Sequence, residues 1–213
     1  MNLNEDYYFN VKKKRPEEIY DKVSDYFKGD ILRAYANSKS IMRIQEKITI
    51  RALELLELKK KEALILDAGC GAGFAAIYLN EIGFRSVALD IIGKFLQYYD
   101  ISFLNPINAD MCFIPFKANT FDAIISISAL QWVFRDINNK NMHFLLKNLS
   151  KSFFHILKPN SRVIFQFYPK NKVLMESIGK IIAENTEFTG NFIIDNPNQP
   201  KKRRIFLLLD KQA

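Results

Sequence analysis

A short apolar run that ends in an aspartate and opens into a glycine-rich loop constrains the fold of this chain more than any other feature. The run covers residues 63–67, and Gly69, Gly71 and Gly73 follow it. A continuous apolar run of this length is typical of a parallel strand buried on both faces of its sheet. Glycines after such a strand allow a tight turn and close approach of a ligand to the backbone, and the next helix supplies free N–H donors. The sequence therefore predicts an α/β fold with a ligand site at this loop.

Alternating strand and helix patterns continue through the rest of the chain. Further strands are predicted by apolar runs at residues 86–90, 106–109, 121–127, 161–167, 191–195 and 205–209. The nine residues between the last two strands include two prolines and are too few for a helical crossover, so these strands should pair antiparallel. We predict a Rossmann-like, seven-stranded, mostly parallel sheet with an antiparallel last strand and helices on both faces.

The segment before the first strand has a helical pattern. Pro16 fits the first turn of a helix that should run to about Phe27 and stop at Gly29. Apolar residues at spacings of three and four predict a longer helix over residues 38–58. The predicted divisions are a mobile basic arm (1–14), N-terminal helices (15–62) and a Rossmann-like core (63–213), the last two forming a single domain over 15–213.

The acid at the end of the second predicted strand, Asp90, narrows the choice of ligand. An acid there can accept hydrogen bonds from both hydroxyls of a ribose, in NAD-binding and in S-adenosylmethionine (SAM)-binding domains alike. The dinucleotide pattern G-x-G-x-x-G leaves room for a pyrophosphate, whereas the loop after Asp67 reads G-x-G-x-G and suits a ligand without phosphate. We therefore predict SAM as the cofactor, and with it the class I methyltransferase fold.

The glycine loop and the ends of the strands supply the candidate cofactor site. The predicted SAM-binding residues are Asp67, Gly69, Cys70, Gly71, Gly73, Asp90, Ile91, Asp110, Met111 and Ser126. Asp110 lies in the loop after the third strand, where it could accept from the adenine amino group. The alternative is a solvated loop aspartate beside a buried methionine; the glycine loop and Asp90 favour the adenine contact.

The predicted acceptor site lies beyond the fourth strand, since ligands of doubly wound folds sit at the carboxyl ends of the strands. Trp132 could stack on a base or be a half-buried core ring. Gln131 could bond a base edge or the amino-acid part of SAM, and Tyr168 could close the pocket or simply pack. His143 and His155 fall on a predicted helix, so no good general base is evident. This favours an acceptor atom with its own lone pair, such as guanine N7.

The composition permits a polyanionic partner without requiring one. Lys and Arg number 31 against 23 acidic residues, which gives a net charge of +8 and is compatible with nucleic acid. The two cysteines form no CxxC pair, and we predict no disulfide and no metal. The N-terminus does not resemble a signal peptide, and no apolar run approaches the ~18 residues of a membrane span, so we expect a cytoplasmic protein without membrane contact.

Three motifs carry a resemblance that extends over most of the chain: ISISALQW at 125–132, QFYP at 166–169 and DNPN at 195–198. Further matching segments lie at residues 15–20, 35–38, 44–45, 51–56, 66–73, 114–116, 120–122 and 201–204. Together they resemble the small-subunit ribosomal RNA guanine-N7 methyltransferases of eukaryotes and archaea. The chain departs from that pattern at Ala72, where the family usually has Ser or Thr, and at 91–93, which read Ile-Ile-Gly instead of Ile-Ser-Pro.

The resemblance implies transfer of a methyl group to N7 of a guanine in small-subunit ribosomal RNA, as part of ribosome biogenesis. We expect Gln131, Trp132 and Tyr168 to act at the acceptor. Contacts to RNA are predicted for Tyr35, Asn37, Lys201, Lys202, Arg203 and Arg204, with a solvated turn as the alternative for the basic cluster. Two other functions stay open on the same fold: a small-molecule or carrier-protein methyltransferase, and a non-catalytic SAM-binding regulator.

The resemblance also implies a partner and a location. The partner is a small zinc-binding methyltransferase activator, which would form a heterodimer by pairing along a sheet edge. Eukaryotic members carry a further basic tail, linked to nuclear import, beyond the position of Ala213. We therefore expect the cytoplasm, or the nucleus if the protein is eukaryotic.

Overall fold

Seven strands form one sheet in the computed structural model, which describes residues 14–58, 62–98, 105–199 and 202–213. The strands are β1 (Leu64–Ala68), β2 (Arg85–Asp90), β3 (Asn105–Asn108), β4 (Phe121–Ile127), β5 (Leu157–Phe167), β6 (Thr189–Asp195) and β7 (Arg204–Lys211). The helices are α1 (Pro16–Ile19), α2 (Val23–Tyr26), α3 (Gly29–Ala36), α4 (Lys39–Leu56), α5 (Phe74–Glu81), α6 (Leu130–Val133), α7 (Lys140–Ile156) and α8 (Lys172–Asn185), with a 3-10 helix at Gly93–Tyr98.

The order of the strands in the sheet is β3-β2-β1-β4-β5-β7-β6. The first five are parallel, and β7 lies antiparallel between β5 and β6. This confirms the predicted seven-stranded, mostly parallel sheet and the antiparallel pairing of the last two strands. Strand order reverses between β1 and β4, and ligands of open α/β sheets bind at the carboxyl ends of strands at such a switch point.

Alternate residues of β5 face two separate apolar layers. Val163 and Phe165 pack into the layer that contains α7 and α8, where the ring of Phe153 stacks on Phe165 with centroids 5.5 Å apart. Ile164 packs into the opposite layer, which includes Ala52 of α4 and residues of α5. Side chains of a strand alternate between its faces, so one strand can bind both layers to the sheet. The prediction of helices on both faces is therefore confirmed.

The prediction of one helix over residues 16–27 with a stop at Gly29 is wrong. The segment forms α1 and α2 instead, and Gly29, with φ +54°, is the first residue of α3. The helix is interrupted between α1 and α2, where the backbone carbonyl of Asp21 accepts a hydrogen bond from the guanidinium of Arg135 at 3.1 Å. A tertiary contact of this kind overrides local helix propensity.

The boundaries of other elements follow the sequence pattern more closely. The predicted helix at 38–58 is α4, which begins after Ser38, whose hydroxyl accepts from the backbone N–H of Ile41 at 3.3 Å. β5 begins at Leu157 instead of 161, because an irregularity in the pairing lets Leu157 lie opposite Phe121. The sequence pattern does not predict the short helix α6.

Some predictions fall wholly or partly outside the described residues. The basic arm at 1–14 lies outside them except for Lys14, and so does Lys201 of the predicted basic cluster. After β2 the structure describes a 3-10 helix at Gly93–Tyr98. Among the helices that are described, none has both the length and the apolar character needed to cross a membrane.

Candidate cofactor and acceptor site

A cavity of about 300 Å³, here named the central cavity, opens at the carboxyl ends of β1, β2 and β4. Gly69, Gly71, Asp90, Asp110 and Trp132 are among the residues that line it. The structure thus brings most of the predicted cofactor residues together at the switch point of the sheet. The predicted residues on its wall are Gly69, Gly71, Asp90, Ile91, Asp110 and Met111.

The three glycines of the loop all have positive φ, and at Gly69 a neighbouring element also leaves no room for a side chain. Gly69 has φ +78°, and a Cβ atom built on it would lie 2.5 Å from the Cβ of Ala129, the residue before α6. Gly71 has φ +52°, and the ring of Tyr35 lies 3.6 Å from the position of its Cβ. Gly73, with φ +78°, is the N-cap of α5. Positive φ and close approach are the two conditions that favour glycine, which explains the loop sequence.

Asp90 joins the end of β2 to the glycine loop. Its Oδ2 accepts from the backbone N–H of Gly71 and its Oδ1 from that of Ile92, both at 2.7 Å. Burial raises the pKa of this carboxyl group, and the two hydrogen bonds lower it. Each carboxylate oxygen has a second lone pair, so the group can still accept from ligand hydroxyls in the cavity. This geometry fits the ribose of SAM.

Asp67 lies beneath the loop, at the end of β1. It is 1% exposed, and its Oδ2 has no hydrogen-bond partner among the described residues. Burial, and then the charge of Asp90, raise its pKa to about 7. The carboxyl group lines a small cavity together with Cys70, Gln45 and Tyr35. A buried acceptor without a partner fits the amino group of an amino-acid ligand such as the methionine part of SAM.

The far end of the central cavity has apolar walls around one acid. Ile91, Met111 and Phe95 line it, and Asp110 fixes its own loop because its Oδ1 accepts from the backbone N–H of Cys112 at 2.8 Å. A flat ring with a polar edge fits between such walls. The assignment of the adenine to Asp110 stays a prediction.

Ser126 is not brought to either of these cavities. It lies on β4, fully buried, and its hydroxyl has no partner among the described residues. The next residues, Ile127 and Ser128, line the central cavity instead. Ser128, with φ +58°, donates from its hydroxyl to Oε1 of Gln166 at 2.9 Å. The strand ends at Ile127, so the backbone turns towards the cavity only after Ser126.

The residues predicted for RNA contact are scattered. Tyr35 lines the central cavity against the glycine loop, and burial, followed by Asp90 and Asp67, raises the pKa of its phenol. Asn37 is exposed and donates to the carbonyl of Arg33 at 2.8 Å. In the turn between β6 and β7, Lys202 is exposed and the guanidinium of Arg203 donates to the carbonyl of Pro197. Arg204 begins β7, and Lys201 lies outside the described residues.

The three predicted acceptor residues are divided between two cavities. Trp132 lines the central cavity, whereas Gln131 and Tyr168 line a second cavity of about 460 Å³, here named the acceptor cavity. The ring of Trp132 is covered, because it stacks on Tyr26 of α2 with centroids 6.1 Å apart and an interplanar angle of 26°. Consecutive residues of α6 thus form a wall with a cavity on each side.

Sequence reasoning missed the part that the N-terminal segment plays in this site. Asp21, Val23, Ser24 and Phe27 line the central cavity, and Phe27 packs edge-on against Phe95 with centroids 5.1 Å apart. Val23 and Phe27 are four residues apart, a spacing that signals an apolar contact. That spacing does not indicate which residues the segment contacts, so its position over the central cavity could not be predicted from the sequence.

Comparison with known proteins agrees with this geometry. A family pattern described as a methyltransferase domain matches residues 66–165. Among solved structures, the N-methyltransferase NodS from Bradyrhizobium japonicum, determined with S-adenosyl-L-homocysteine, has a TM-score of 0.62 at 14% identity and covers 86% of this chain and 98% of that one. A protein from Pyrococcus horikoshii has a TM-score of 0.65 at 18% identity, covering 88% and 99%. At these identities the two structures establish the fold alone.

Curated relatives are closer in sequence. The 18S rRNA (guanine-N7)-methyltransferase of Bos taurus is 34% identical over 206 residues, which are 91% of this chain and 68% of the relative. The probable 18S rRNA (guanine-N7)-methyltransferase of Dictyostelium discoideum is 32% identical over 203 residues, covering 91% and 67%. The chain is a class I methyltransferase with S-adenosyl-L-methionine as its cofactor, and it belongs to the family of the 18S rRNA (guanine-N7)-methyltransferases.

Proposed function

We propose that this protein methylates N7 of one guanine in small-subunit ribosomal RNA, as a step of ribosome biogenesis. One observation supports this most: Gln131 and Trp132 are consecutive, yet they line different cavities. The central cavity fits the cofactor, and the acceptor cavity beside it is lined by an amide, an aromatic ring and charged side chains. An unpaired base needs a pocket of this chemistry next to the methyl donor.

The chemistry requires little from the protein beyond orientation. When bound, SAM supplies an electrophilic methyl group on a sulfonium. Guanine N7 keeps its lone pair outside Watson–Crick pairing, so no proton has to leave before the methyl group is accepted. Neither histidine of the chain lines a described cavity: His143 contacts the carbonyl of Ile137 at 2.7 Å, and His155 is exposed. Alignment of the two reactants is then the main catalytic contribution.

The residues predicted for the acceptor take distinct positions in this proposal. Gln131 and Tyr168 contact the base from the acceptor cavity. Trp132 forms the wall on the cofactor side, because Tyr26 already occupies one face of its ring. Tyr35 lines the central cavity, with its ring against the glycine loop at Gly71.

We also propose the zinc-binding activator as a partner at the β3 edge of the sheet. β3 pairs only with β2 in the described sheet, and an unpaired strand edge can accept a strand from another chain. Phe113, which follows β3 in the chain, is 54% exposed, and so is Phe144 beside it, with ring centroids 6.4 Å apart. Such exposed rings suit a surface that a partner covers.

Two further parts of the proposal concern RNA contacts and location. The exposed Lys202 and the neighbouring basic residues of the β6–β7 turn would contact phosphates, which supply most of the non-specific affinity for nucleic acid. The activity belongs where small ribosomal subunits are assembled, in the cytoplasm, or in the nucleus of a eukaryote.

Mapping the methylated atom tests this function. The purified protein, with and without the activator, is incubated with small-subunit RNA and SAM carrying a labelled methyl group. We expect label at N7 of a single guanine, identified by mass spectrometry of nuclease fragments. Asp90→Ala serves as the inactive control, because it removes the carboxylate that fits the ribose. Label on a ribose hydroxyl, on a protein side chain or on a small molecule would contradict the proposal.

A further inference from the structure

Two buried acceptor groups line the acceptor cavity. Gln131 is 7% exposed, and its Oε1 has no hydrogen-bond partner among the described residues. Its Nε2 donates to the carbonyl of Ser128 at 2.8 Å, so the orientation of the amide is fixed. Glu17 of α1, which sequence analysis did not assign to the site, is 6% exposed on the wall of the same cavity. Buried acceptors are normally satisfied, so Oε1 of Gln131 indicates a ligand that brings a donor. The carboxyl group of Glu17 interacts with its own backbone N–H and offers further lone pairs to a ligand in the same cavity.

Cations beside Glu17 favour its ionised form. Burial has the largest effect and raises the pKa of Glu17 above its ordinary value, whereas the hydrogen bond at its own backbone N–H and the charges of Arg15 and Arg135 oppose this rise. Both arginines are anchored in the cavity wall. Arg135 donates to the carbonyl of Asp21, and Arg15 donates to the carbonyl of Tyr168 and lies over its ring, 5.6 Å from the centroid. These two hydrogen bonds fix the arginines on the wall of the cavity that Glu17 also lines.

A carboxylate in a base pocket selects by the pattern of hydrogen-bond donors. The Watson–Crick edge of guanine presents two adjacent donors, N1–H and the 2-amino group, which one carboxylate can accept side by side. The Watson–Crick edges of adenine, cytosine and uracil each place an acceptor next to their donor, and an acceptor there would face the carboxylate and be repelled. N7 lies on the opposite side of the purine from the 2-amino group, so a guanine held this way keeps N7 away from Glu17.

We infer that Glu17 is the residue that selects guanine, by accepting hydrogen bonds from N1–H and the 2-amino group, with Oε1 of Gln131 as a second acceptor for the amino group. The inference rests on the proposed function and adds the origin of its base specificity. Gln131 and Trp132 lie where the acceptor cavity and the central cavity meet, and methyl transfer requires the N7 edge of a base bound at Glu17 to face this side. The selection acts through the substrate and leaves cofactor binding unaffected.

Inosine provides the test, because it lacks the 2-amino group and keeps N7, O6 and N1–H. Single-turnover methylation is measured on a synthetic RNA that carries the mapped target guanine, and on the same RNA with inosine at that position. We expect the wild-type protein to prefer guanine by about 10-fold or more, as for one hydrogen bond to a charged group. Glu17→Gln should reduce this preference to about threefold or less, because the amide places a donor opposite a donor.

Controls separate this inference from the proposed function. Asp25→Asn, an exposed change on the neighbouring helix α2, should keep the wild-type preference. Calorimetric titration should show equal SAM affinity for Glu17→Gln and the wild type, and a melting curve checks that the variant folds. If the wild type methylates no guanine, the proposed function fails. If the wild type methylates guanine and inosine equally, only the selection by Glu17 is overturned, and this result does not depend on the folding of any variant. The same holds for the selection by Glu17 if a folded Glu17→Gln variant keeps the full preference for guanine.

Discussion

The carboxylate of Asp90 accepts a hydrogen bond from the backbone N–H of Gly71 at 2.7 Å, which ties the end of β2 to the loop after β1. We expect Asp90→Asn to weaken SAM binding by about 10- to 100-fold, because it replaces a charged acceptor by an amide that also offers a donor to these N–H groups. Calorimetric titration measures the effect, with Asp25→Asn as the exposed control. Unchanged affinity would show that the ribose does not bind at Asp90.

Alanine substitutions at two glycines separate the effects of a positive φ and of a steric clash on the free energy of unfolding. Gly69→Ala places a methyl group 2.5 Å from the Cβ of Ala129, whereas Gly83→Ala, at φ +94°, meets nothing within 4 Å. We expect Gly83→Ala to lower the free energy of unfolding by about 1–2 kcal/mol from backbone strain alone. Gly69→Ala should cost roughly 1–3 kcal/mol more, from overpacking. Urea denaturation of both variants checks this, and equal losses would contradict the clash.

Asp67 should make the stability of the cofactor-free protein depend on pH. Its pKa in the folded state is raised from 3.8 to about 7, so the folded state binds a proton that the unfolded state has released between these values. The stabilising effect of the proton is present below about pH 4 and is lost as the pH rises through about 7, a loss on the order of a few kcal/mol. Asp67→Asn, which cannot ionise, should remove this part of the decline. Urea denaturation between pH 4 and 8 compares the two proteins, and parallel curves would show that the pKa of Asp67 is not raised.

The stacking of Trp132 on Tyr26 should help to retain the cofactor. Tyr26→Ala removes the ring that covers Trp132, and we expect SAM affinity to fall by about 2- to 10-fold, the range of an aromatic pair. Trp132→Ala should weaken SAM binding at least as much, because Trp132 also lines the central cavity. In a double-mutant cycle the two changes should be less than additive, measured by calorimetry. Strictly additive losses would show that the contact does not contribute.

The rate of methyl transfer should vary little with pH between about 6.5 and 8.5, where a general base near neutrality would show itself. Guanine N7 needs no general base to accept the methyl group, and neither His143 nor His155 lines a described cavity. Single-turnover rates at saturating SAM and RNA isolate this step from effects of Asp67 on binding. A tenfold rise per pH unit anywhere in this range would indicate a proton that must leave before transfer.

The sheet and the glycine loop could be predicted because their signals are local. Burial on both faces of β1 requires the apolar run that ends at Asp67, and the positive φ of the loop favours the glycines that follow it. The predicted bounds of β4 agree with the structure for the same reason, since its residues are almost all buried.

The acceptor side could not be predicted in the same way. α6 has a single turn, too short to show a periodic pattern, and it alone decides that Gln131 and Trp132 line different cavities. The position of Glu17 depends on contacts between α1 and residues more than a hundred positions away, such as Arg135 and Tyr168. Helix propensity contains no information about such contacts, so the sequence analysis assigned Gln131, Trp132 and Tyr168 to the acceptor and did not assign Glu17 to it.

The place of β7 in the sheet has a consequence for how the protein is made. β7 follows β6 in the chain, yet it lies inside the sheet, and in the described part β6 has no strand neighbour except β7. Until residues 204–211 leave the ribosome, β5 remains an open edge and β6 has nothing to pair with. Exposed strand edges promote aggregation, so a nascent chain stalled or cleaved before Arg204 should be a substrate for chaperones and proteases. Completion of the sheet is therefore coupled to the synthesis of residues 204–211.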